Sequence, residues 1–303
     1  MEYLLNIIRK GSYATFSLLT ILLGFIACSS LGGDKPMEEP TITKVTPVNE
    51  LYKVLDFTAI AAHRGYFRVS PEESLAAFQD GINLGIEFLE VDTQTTADGV
   101  AILFHDATVN RITNGSGTVS QMNYSAISQL KLKNKNGVLT NEPIATLEQG
   151  LRKIKGKNIY MHIEVKDLNF EEVIKIIRKT ETQKQVLVFV SDRASYDMVA
   201  SYQDIYFNAV CSNVTNFNFF STQTNVSSLN LAGTIFSASY ASQAKSKNKL
   251  TWRGVTDKPD DAELISGASS KPNLDATIQI NPAIIHTDYA DLLKIYLKSK
   301  GKR

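Results

Sequence analysis

The sequence has few cysteines, almost no net charge and no long apolar run. Two of its 303 residues are cysteines, and the formal net charge is +1. A charge so close to zero gives no support for nucleic acid as a partner. The apolar N-terminal stretch Phe16–Ala27 has 12 residues, whereas about 20 are needed to span a bilayer as a helix. The sequence also has no evident internal repeats or heptads.

The N-terminal segment is typical of an export signal. Arg9 and Lys10 precede the apolar stretch Phe16–Ala27, and Cys28 follows it directly. A basic start, a short apolar run and a small residue before a break are features of a secretory signal peptide. The cysteine makes the segment resemble a bacterial lipoprotein signal. We therefore expect residues 1–27 to be the signal peptide and Cys28 to be the lipidated first residue of the mature protein.

Residues 28–50 contain three prolines and predict a flexible tether. The mature protein would then be anchored through its lipid to an extracytoplasmic membrane face of the bacterial cell envelope. Two alternatives remain: an ordinary cleaved signal, which would give a secreted or periplasmic protein, and a single membrane anchor. If Cys28 carries lipid, Cys211 has no partner for an intramolecular disulfide, and we expect it to pack in the core.

Residues 51–303 alternate between strand-like and helix-like segments. The strand predictions are Thr58–His63, Ile86–Asp92, Val100–His105, Ile159–Lys166, Gln185–Ser191, Ile205–Cys211, Thr234–Ala238, Leu250–Val255 and Ala283–Thr287. The helix predictions are Glu73–Leu84, Thr146–Ile154, Phe170–Thr180, Ala194–Ser201, Asp260–Gly267 and Tyr289–Lys298. This alternation predicts a parallel sheet. The polar insertion 107–141 is of the kind that shapes a substrate pocket.

Length favours a single domain after the tether. From Cys28 the chain has 303 − 27 = 276 residues, close to the ~250 of one (β/α)8 barrel. The nine strand predictions exceed the eight strands of such a barrel by one, so at least one of them is wrong or is an additional strand. The sequence does not indicate an oligomeric state.

Three carboxylates are candidate metal ligands. Glu90 and Asp92 are two residues apart on a predicted strand, so their side chains point to the same face. Two like charges this close repel and need a cation if they lie inside a fold. Together with Glu164 on another predicted strand, and with no cysteine nearby, they favour a hard ion, Mg²⁺ or Ca²⁺. The alternative is a solvated strand edge, but the apolar residues around Glu90 favour a buried sheet.

Two of the four histidines are candidate acid–base groups. His63 and His105 each end an apolar run and each precede a charged residue. Strand ends of this kind are where α/β barrels place reactive groups, and an imidazole exchanges protons near neutral pH. His162 lies deeper in its predicted strand, and we expect it to pack inside the barrel or to support other site residues. His286 is ambiguous from sequence alone.

Two cations complete the set. Arg64 follows His63, and Lys166 shares a strand face with Glu164. Fixed positive charges near a phosphodiester would stabilise the charge that builds up on its oxygens during attack. Arginine does so bidentately and lysine as a point charge. Ion pairing with the neighbouring carboxylates is the alternative role, and the two roles are compatible.

The order of these motifs resembles that of the glycerophosphodiester phosphodiesterase family over about Thr58–Lys298. The motifs that carry the resemblance are His63-Arg64-Gly65, Pro71-Glu72-Glu73-Ser74, Glu90-Val91-Asp92, Thr96-Ala97-Asp98-Gly99, His105-Asp106, Arg111 to Gly117, Pro143 to Glu148, Glu164-Val165-Lys166 and Thr287-Asp288-Tyr289. In three places the chain departs from the family pattern: Glu73 stands where Asn is usual, Arg253 and Gly254 follow Trp252, and Ala290 replaces a proline.

The resemblance implies an α/β TIM barrel with its active site at the C-terminal strand ends. It also implies metal-dependent hydrolysis of glycerophosphodiesters to sn-glycerol 3-phosphate and an alcohol, by either water or the substrate's own 2-hydroxyl group. Trp252 would line the substrate pocket. The alternatives are a phospholipase D-like or phosphoinositide-cleaving enzyme acting on membrane lipid headgroups, and a barrel that binds a ligand without turnover.

Overall fold

Eight short, mostly apolar segments pair side by side as parallel strands. The computed structural model describes residues 45–303. Each barrel strand pairs with the next, and β1 pairs with both β2 and β11, which closes the sheet into a barrel. The strands are β1 (Ala59–Ala62), β2 (Phe88–Thr95), β3 (Ala101–Leu103), β4 (Lys131–Lys133), β5 (Leu139–Pro143), β6 (Tyr160–Val165), β7 (Val186–Val190), β8 (Tyr206–Cys211), β9 (Val226–Leu231), β10 (Leu250–Gly254) and β11 (Ile284–Thr287).

Most of the helices follow barrel strands and cover the outside of the barrel, and one short helix lies in the insertion 107–141. They are α1 (Leu75–Leu84), α2 (Tyr124–Ile127), α3 (Leu147–Ile154), α4 (Phe170–Thr180), α5 (Arg193–Asp197), α6 (Val214–Phe220), α7 (Ala238–Ser246), α8 (Pro259–Ile265), α9 (Pro272–Ile280) and α10 (Ala290–Ser299). Local sequence fixes several starts: the Ser74 hydroxyl accepts from the Ala77 amide, and Thr146 forms a capping box with Gln149. The apolar faces of these helices pack on the outer face of the sheet.

The inside of the barrel changes from apolar to polar along the strands. At the N-terminal end, Phe88, Tyr160 and Trp252 pack with Val48 and Leu51 into one apolar cluster. Because strand side chains alternate, the next inward positions on the same strands lie closer to the C-terminal end. On β2 and β6 these positions are occupied by Glu90, Asp92, His162 and Glu164. The packed end stabilises the barrel, and the polar end leaves room for a site.

Two strand predictions need correction. Thr234–Ala238 is not a strand: residues Gly233–Ile235 form a 3-10 helix, and the barrel strand is β9, Val226–Leu231. The segment predicted as Val100–His105 does contain a strand, β3, but β3 runs antiparallel to β2 and forms a hairpin with it. It is therefore an additional strand of the sheet, beside the eight parallel strands of the barrel.

The insertion at 107–141 has structure of its own. It contains a 3-10 helix (Val119–Gln121), α2 and most of the hairpin β4–β5. Its apolar side chains form a separate cluster with Ile102 and Phe104 of the β3 segment. The insertion is thus a small cap attached to the polar end of the barrel through β3.

The N-terminal predictions fall mostly outside the described residues. The signal peptide 1–27, lipidated Cys28 and the tether up to residue 44 belong to this part. Residues 45–50, predicted as the end of the flexible tether, instead pack on the barrel: Val48 is fully buried, and the Tyr160 hydroxyl donates to the Thr46 carbonyl at 2.8 Å. Within 45–303, no helix is both long and apolar enough to cross a membrane.

We expect the buried ion pair between Arg303 and Glu87 to be important for the stability of the barrel. Arg303 Nη1 donates to Glu87 Oε2 at 2.8 Å, and that oxygen also accepts from the Ile60 amide. Arg303→Ala leaves a buried carboxylate without its cation and should lower the free energy of unfolding by about 3–5 kcal/mol. Chemical denaturation measures this. Lys175→Ala, which breaks an exposed pair with Glu172, should cost less than about 1 kcal/mol; similar losses for both variants would contradict the assignment.

Candidate active site

Two neighbouring strands bring three carboxylates together at the polar end of the barrel. Parallel pairing of β2 with β6 places Asp92 directly beside Glu164, with Glu90 one inward position below. One oxygen from each of the three lies within 4.8 Å of the others. Glu90 and Asp92 are almost completely buried, whereas Glu164 is partly exposed. The metal ligands predicted from sequence therefore form one cluster.

Crowding in this cluster shifts the ionisation of its members. Burial, and then the charge of Glu90, raises the pKa of Asp92 to about 7. Burial opposes ionisation of Glu90 as well. The nearby His286 and His63 nevertheless hold the pKa of Glu90 below its usual range. The carboxylates are thus only partly neutralised by the protein's own cations.

Arg64 and Lys166 supply that partial neutralisation. Lys166 Nζ donates to Glu164 at 2.7 Å and lies 2.9 Å from Asp92 Oδ1. Arg64 Nη1 donates to Glu72 at 2.8 Å, and its Nε lies 3.5 Å from Asp92 Oδ2. Both predicted phosphate-binding residues therefore contact carboxylates, and both retain some solvent exposure. They are positioned to bind an anion that enters the barrel mouth.

His63 is oriented by a residue from the opposite end of the chain. It follows β1, and its Nδ1–H donates to Asp288 Oδ1 at 2.6 Å. This hydrogen bond leaves Nε2 facing Glu90 Oε2 at 3.9 Å. Burial alone would lower the pKa of His63, but the Asp288 hydrogen bond and the charge of Glu90 raise it. Sequence reasoning missed Asp288, although it lies in the Thr287-Asp288-Tyr289 motif.

His105 reaches the site by an unexpected route. It was predicted to end a parallel strand, but it follows β3, which returns from the tip of the β2–β3 hairpin. The Phe104 amide donates to the Asp92 carbonyl at 2.9 Å, which places the residue before His105 at the level of the carboxylates. Burial, followed by the charges of Arg64 and Lys166, lowers the pKa of His105.

A polar chain that sequence analysis did not identify holds His105 in place. The His105 Nδ1–H donates to Asp106 at 2.7 Å. Arg111 donates to Asp106 through Nε and to Glu72 through Nη1, and its Nη2 donates to both. Glu72 in turn accepts from Arg64. Arg111 comes from the insertion, so the cap contributes directly to the site. Its position in the glycine-bearing loop after His105-Asp106 was the available signal.

Trp252 does not line an open pocket. Its side chain is 1% exposed, and its ring stacks on His162 at 4.4 Å and packs against Phe88 at 5.6 Å. The barrel interior at this level is filled, and the role of Trp252 in the substrate pocket stays a prediction. His162 packs as predicted: it is buried, and its Nε2 pairs with the side-chain amide of Asn208.

Glu73 adds a fourth carboxyl group next to the cluster. It has a left-handed backbone with φ of 58°, and its Oε1 accepts from the Asp92 amide at 3.0 Å. Burial, and then the charges of Asp92 and Glu90, raises the pKa of Glu73 well above its usual value. The residue that replaces the family's Asn thus braces the strand that carries Glu90 and Asp92.

The donor set fits a hard divalent ion. Glu90, Asp92 and Glu164 offer only oxygen atoms, which are the ligands that Mg²⁺ and Ca²⁺ prefer. Burial, and then the charge of Glu90, raises the pKa of Asp92, so this group is one that a nearby positive charge would stabilise in its ionised form. A bound cation would supply that charge.

Comparison with known proteins identifies the family. The model of the glycerophosphoryl diester phosphodiesterase family matches residues 63–258, more than half of the chain. The chain belongs to this family. A glycerophosphodiester phosphodiesterase of Caldanaerobacter subterraneus is 33% identical over 138 residues, 43% of this chain and 57% of that protein. Glycerophosphodiester phosphodiesterase 1 of Bos taurus is 32% identical over 123 residues, 39% of this chain and 36% of its own length. The chain thus spans about half or less of these relatives.

Solved structures share the fold. A glycerophosphoryl diester phosphodiesterase from Parabacteroides distasonis superposes with a TM-score of 0.73 at 21% identity, covering 86% of this chain and 93% of that one. A phosphodiesterase from Oleispira antarctica, solved with its product sn-glycerol-3-phosphate, gives a TM-score of 0.61 at 17% identity and covers 80% and 97% of the two chains. These matches confirm the predicted TIM barrel.

The carboxylate cluster predicts metal-dependent stability. Adding Mg²⁺ or Ca²⁺ to chelator-treated protein should raise its melting temperature, since an ion that binds only the folded state at 100 times its Kd contributes about 2.7 kcal/mol. Glu164→Gln removes one ligand and should reduce this shift. Differential scanning calorimetry measures it. The matched control is Glu148→Gln, which removes a surface carboxylate paired with Lys179 and Arg152. An undiminished shift in Glu164→Gln would contradict the ligand set.

Proposed function

We propose that the protein is a metal-dependent phosphodiesterase that hydrolyses glycerophosphodiesters to sn-glycerol 3-phosphate and an alcohol. The observation that carries the proposal is the meeting of three carboxylates, two oriented histidines and two cations at the mouth of one barrel. Membership of the family supports it, as does the product bound in the Oleispira antarctica neighbour. A divalent ion bound by Glu90, Asp92 and Glu164 would polarise a phosphoryl oxygen of the substrate.

His63 and His105 would move the protons. Hydrolysis of a phosphodiester forms one P–O bond and breaks another, so the attacking hydroxyl loses a proton and the leaving alkoxide gains one. Each histidine has Nδ1 engaged by a carboxylate, Asp288 for His63 and Asp106 for His105. This hydrogen bond fixes the ring and leaves Nε2 as the nitrogen that exchanges a proton.

Arg64 and Lys166 would bind the phosphate. Both already lie beside the carboxylates, so they can contact a phosphoryl oxygen without leaving the barrel mouth. The surrounding carboxylates hold both side chains in position before the substrate arrives. Positive charges that are preorganised in this way stabilise the transition state more than the ground state. The cap formed by residues 107–141 would contact the alcohol portion of the substrate.

The alternative activities differ in what they release. A phospholipase D-like or phosphoinositide-cleaving enzyme would act on lipid headgroups, and a binding protein would release nothing. A panel of glycerophosphocholine, glycerophosphoethanolamine, glycerophosphoglycerol, lysolipids and phosphoinositides, each with Mg²⁺, Ca²⁺ or EDTA, separates these cases. We expect sn-glycerol 3-phosphate from the first three with at least one metal and none with EDTA. No turnover of any compound with either metal would favour the binding protein.

Replacing either candidate acid–base histidine should abolish most of the activity. His63→Ala and His105→Ala should each lower kcat on the order of 10²–10⁴-fold, the range for loss of a general acid or base. Steady-state kinetics on the best substrate of the panel provides the measurement. Lys175→Ala, at an exposed position of α4 outside the cap and the barrel mouth, should retain activity and controls for nonspecific damage. Near-normal turnover in His105→Ala would refute its role.

We propose further that the protein is a lipoprotein anchored outside the cytoplasm. The proposal is supported by the basic start, the short apolar stretch and Cys28 behind it. Cys28→Ser should leave the membrane fraction or stay unprocessed, because the acyl chains that hold it would be absent. Mass spectrometry of the extracted protein should find a lipidated N-terminal cysteine. An unmodified N-terminus after Cys28 would mean simple secretion, and an intact Met1 would mean an uncleaved anchor.

A further inference from the structure

A second group of potential metal ligands lies next to the carboxylate cluster. His63, Glu90 and His286 each offer one nitrogen or oxygen atom, and these three atoms lie within 4.8 Å of one another. His63 follows β1, Glu90 lies on β2 and His286 lies on β11, and these three strands are neighbours in the barrel. The group shares Glu90 with the carboxylate cluster but adds two imidazoles.

The distances suit a tetrahedral ion. Glu90 Oε2 lies 3.4 Å from His286 Nε2 and 3.9 Å from His63 Nε2. Ligands about 2.0–2.1 Å from a tetrahedral zinc ion are roughly 3.4 Å apart, so only a small movement of the His63 ring would complete the arrangement. These contacts are too long and poorly aligned to be good hydrogen bonds.

His286 is largely buried, and the rings next to it are those of His63 and Trp252. Its Nε2 is shielded from solvent and has no hydrogen bond of good geometry. The same nitrogen lies 3.4 Å from Glu90 Oε2, so it faces the space between the three candidate ligands. A buried imidazole nitrogen without a partner costs free energy unless something binds it, which is the second indication of a ligand at this point.

Asp288 prepares His63 for the same task. Metal-binding histidines commonly donate their second ring N–H to a carboxylate, which fixes the tautomer and makes the other nitrogen a better ligand. The His63–Asp288 hydrogen bond of 2.6 Å has this arrangement. Among the described residues, His63 is the side chain within salt-bridge distance of Asp288 that can carry a positive charge.

We propose that His63, Glu90 and His286 form a separate binding site for a borderline transition-metal ion such as Zn²⁺ or Co²⁺. Two imidazoles and one carboxylate with an open fourth position favour these ions over Mg²⁺ and Ca²⁺, which prefer oxygen. The site is distinct from the carboxylate cluster because it depends on His286 and not on Asp92 or Glu164.

Occupation of this site would inhibit the enzyme. The ion takes the Nε2 lone pair of His63 that proton transfer needs, and it withdraws Glu90 from the carboxylate cluster. This consequence rests on the proposed function, whereas binding of the ion does not. Free Zn²⁺ would therefore act as an inhibitor, and Mg²⁺ would compete with it only through Glu90, the one ligand that the two sites share.

Cobalt spectroscopy tests the site without any turnover. The full-length protein is stripped with chelator and titrated with Co²⁺, since a tetrahedral cobalt site absorbs visible light far more strongly than an octahedral oxygen site. Wild type and Glu164→Gln should develop strong bands at one equivalent of Co²⁺, and Zn²⁺ should bleach them. His286→Ala and His63→Ala should lose the bands. Asp288→Asn should weaken cobalt affinity about 10–100-fold, as losses of such supporting carboxylates do.

The controls separate a lost ligand from a lost fold. His162→Ala removes another buried barrel histidine, one that pairs with Asn208, and should keep the bands. Thermal unfolding in chelator verifies that each variant is folded, and His286→Gln replaces His286→Ala if the latter is not. Strong bands in a folded His286 variant, or bands lost in Glu164→Gln but kept without His286, would overturn the proposal. Absence of hydrolysis with intact bands would instead refute the proposed function and leave the site standing.

Discussion

Mutual repulsion among buried carboxylates is the constraint that organises this end of the barrel. Glu90 and Asp92 are buried and Glu164 is partly exposed, and one oxygen of each lies within 4.8 Å of the others, so the two buried groups repel more strongly than they would in solvent. Arg64 and Lys166 offset only part of this energy. The fold tolerates the remainder because eight paired strands fix the backbone, and the apolar cluster at the opposite end contributes the stability. The packing of the rest of the barrel therefore stabilises a carboxylate cluster that could hold a metal ion.

Sequence periodicity predicted the parts of the site that depend on local geometry. Glu90 and Asp92 had to share a face because they are two residues apart on a strand, and the apolar residues around them placed that strand inside a sheet. The same reasoning located Glu164 and Lys166. It also predicted helices such as Phe170–Thr180, whose bounds the structure reproduces.

Other features depended on tertiary structure that periodicity does not reveal. Strand β9 was missed because Ser227, Ser228 and Asn230 give it too few apolar residues, although the first two are buried in the barrel wall. Asp288 is 225 residues from His63, so no local pattern connects them. The burial of Trp252 was not predicted, because a single tryptophan near a strand end does not reveal whether its ring points into a filled core or an open mouth.

The separate apolar cluster of the cap has a consequence for motion. Residues 107–141 bury their own side chains and join the barrel mainly through the β3 segment and the Arg111 contacts with Glu72 and Asp106. Such a segment can unfold as a cooperative unit without disrupting the barrel strands. Its opening free energy would then depend on the charges at the barrel mouth, because Arg111 is bound to them. Amide hydrogens of the cap would report, through their exchange rates, whether the mouth is filled.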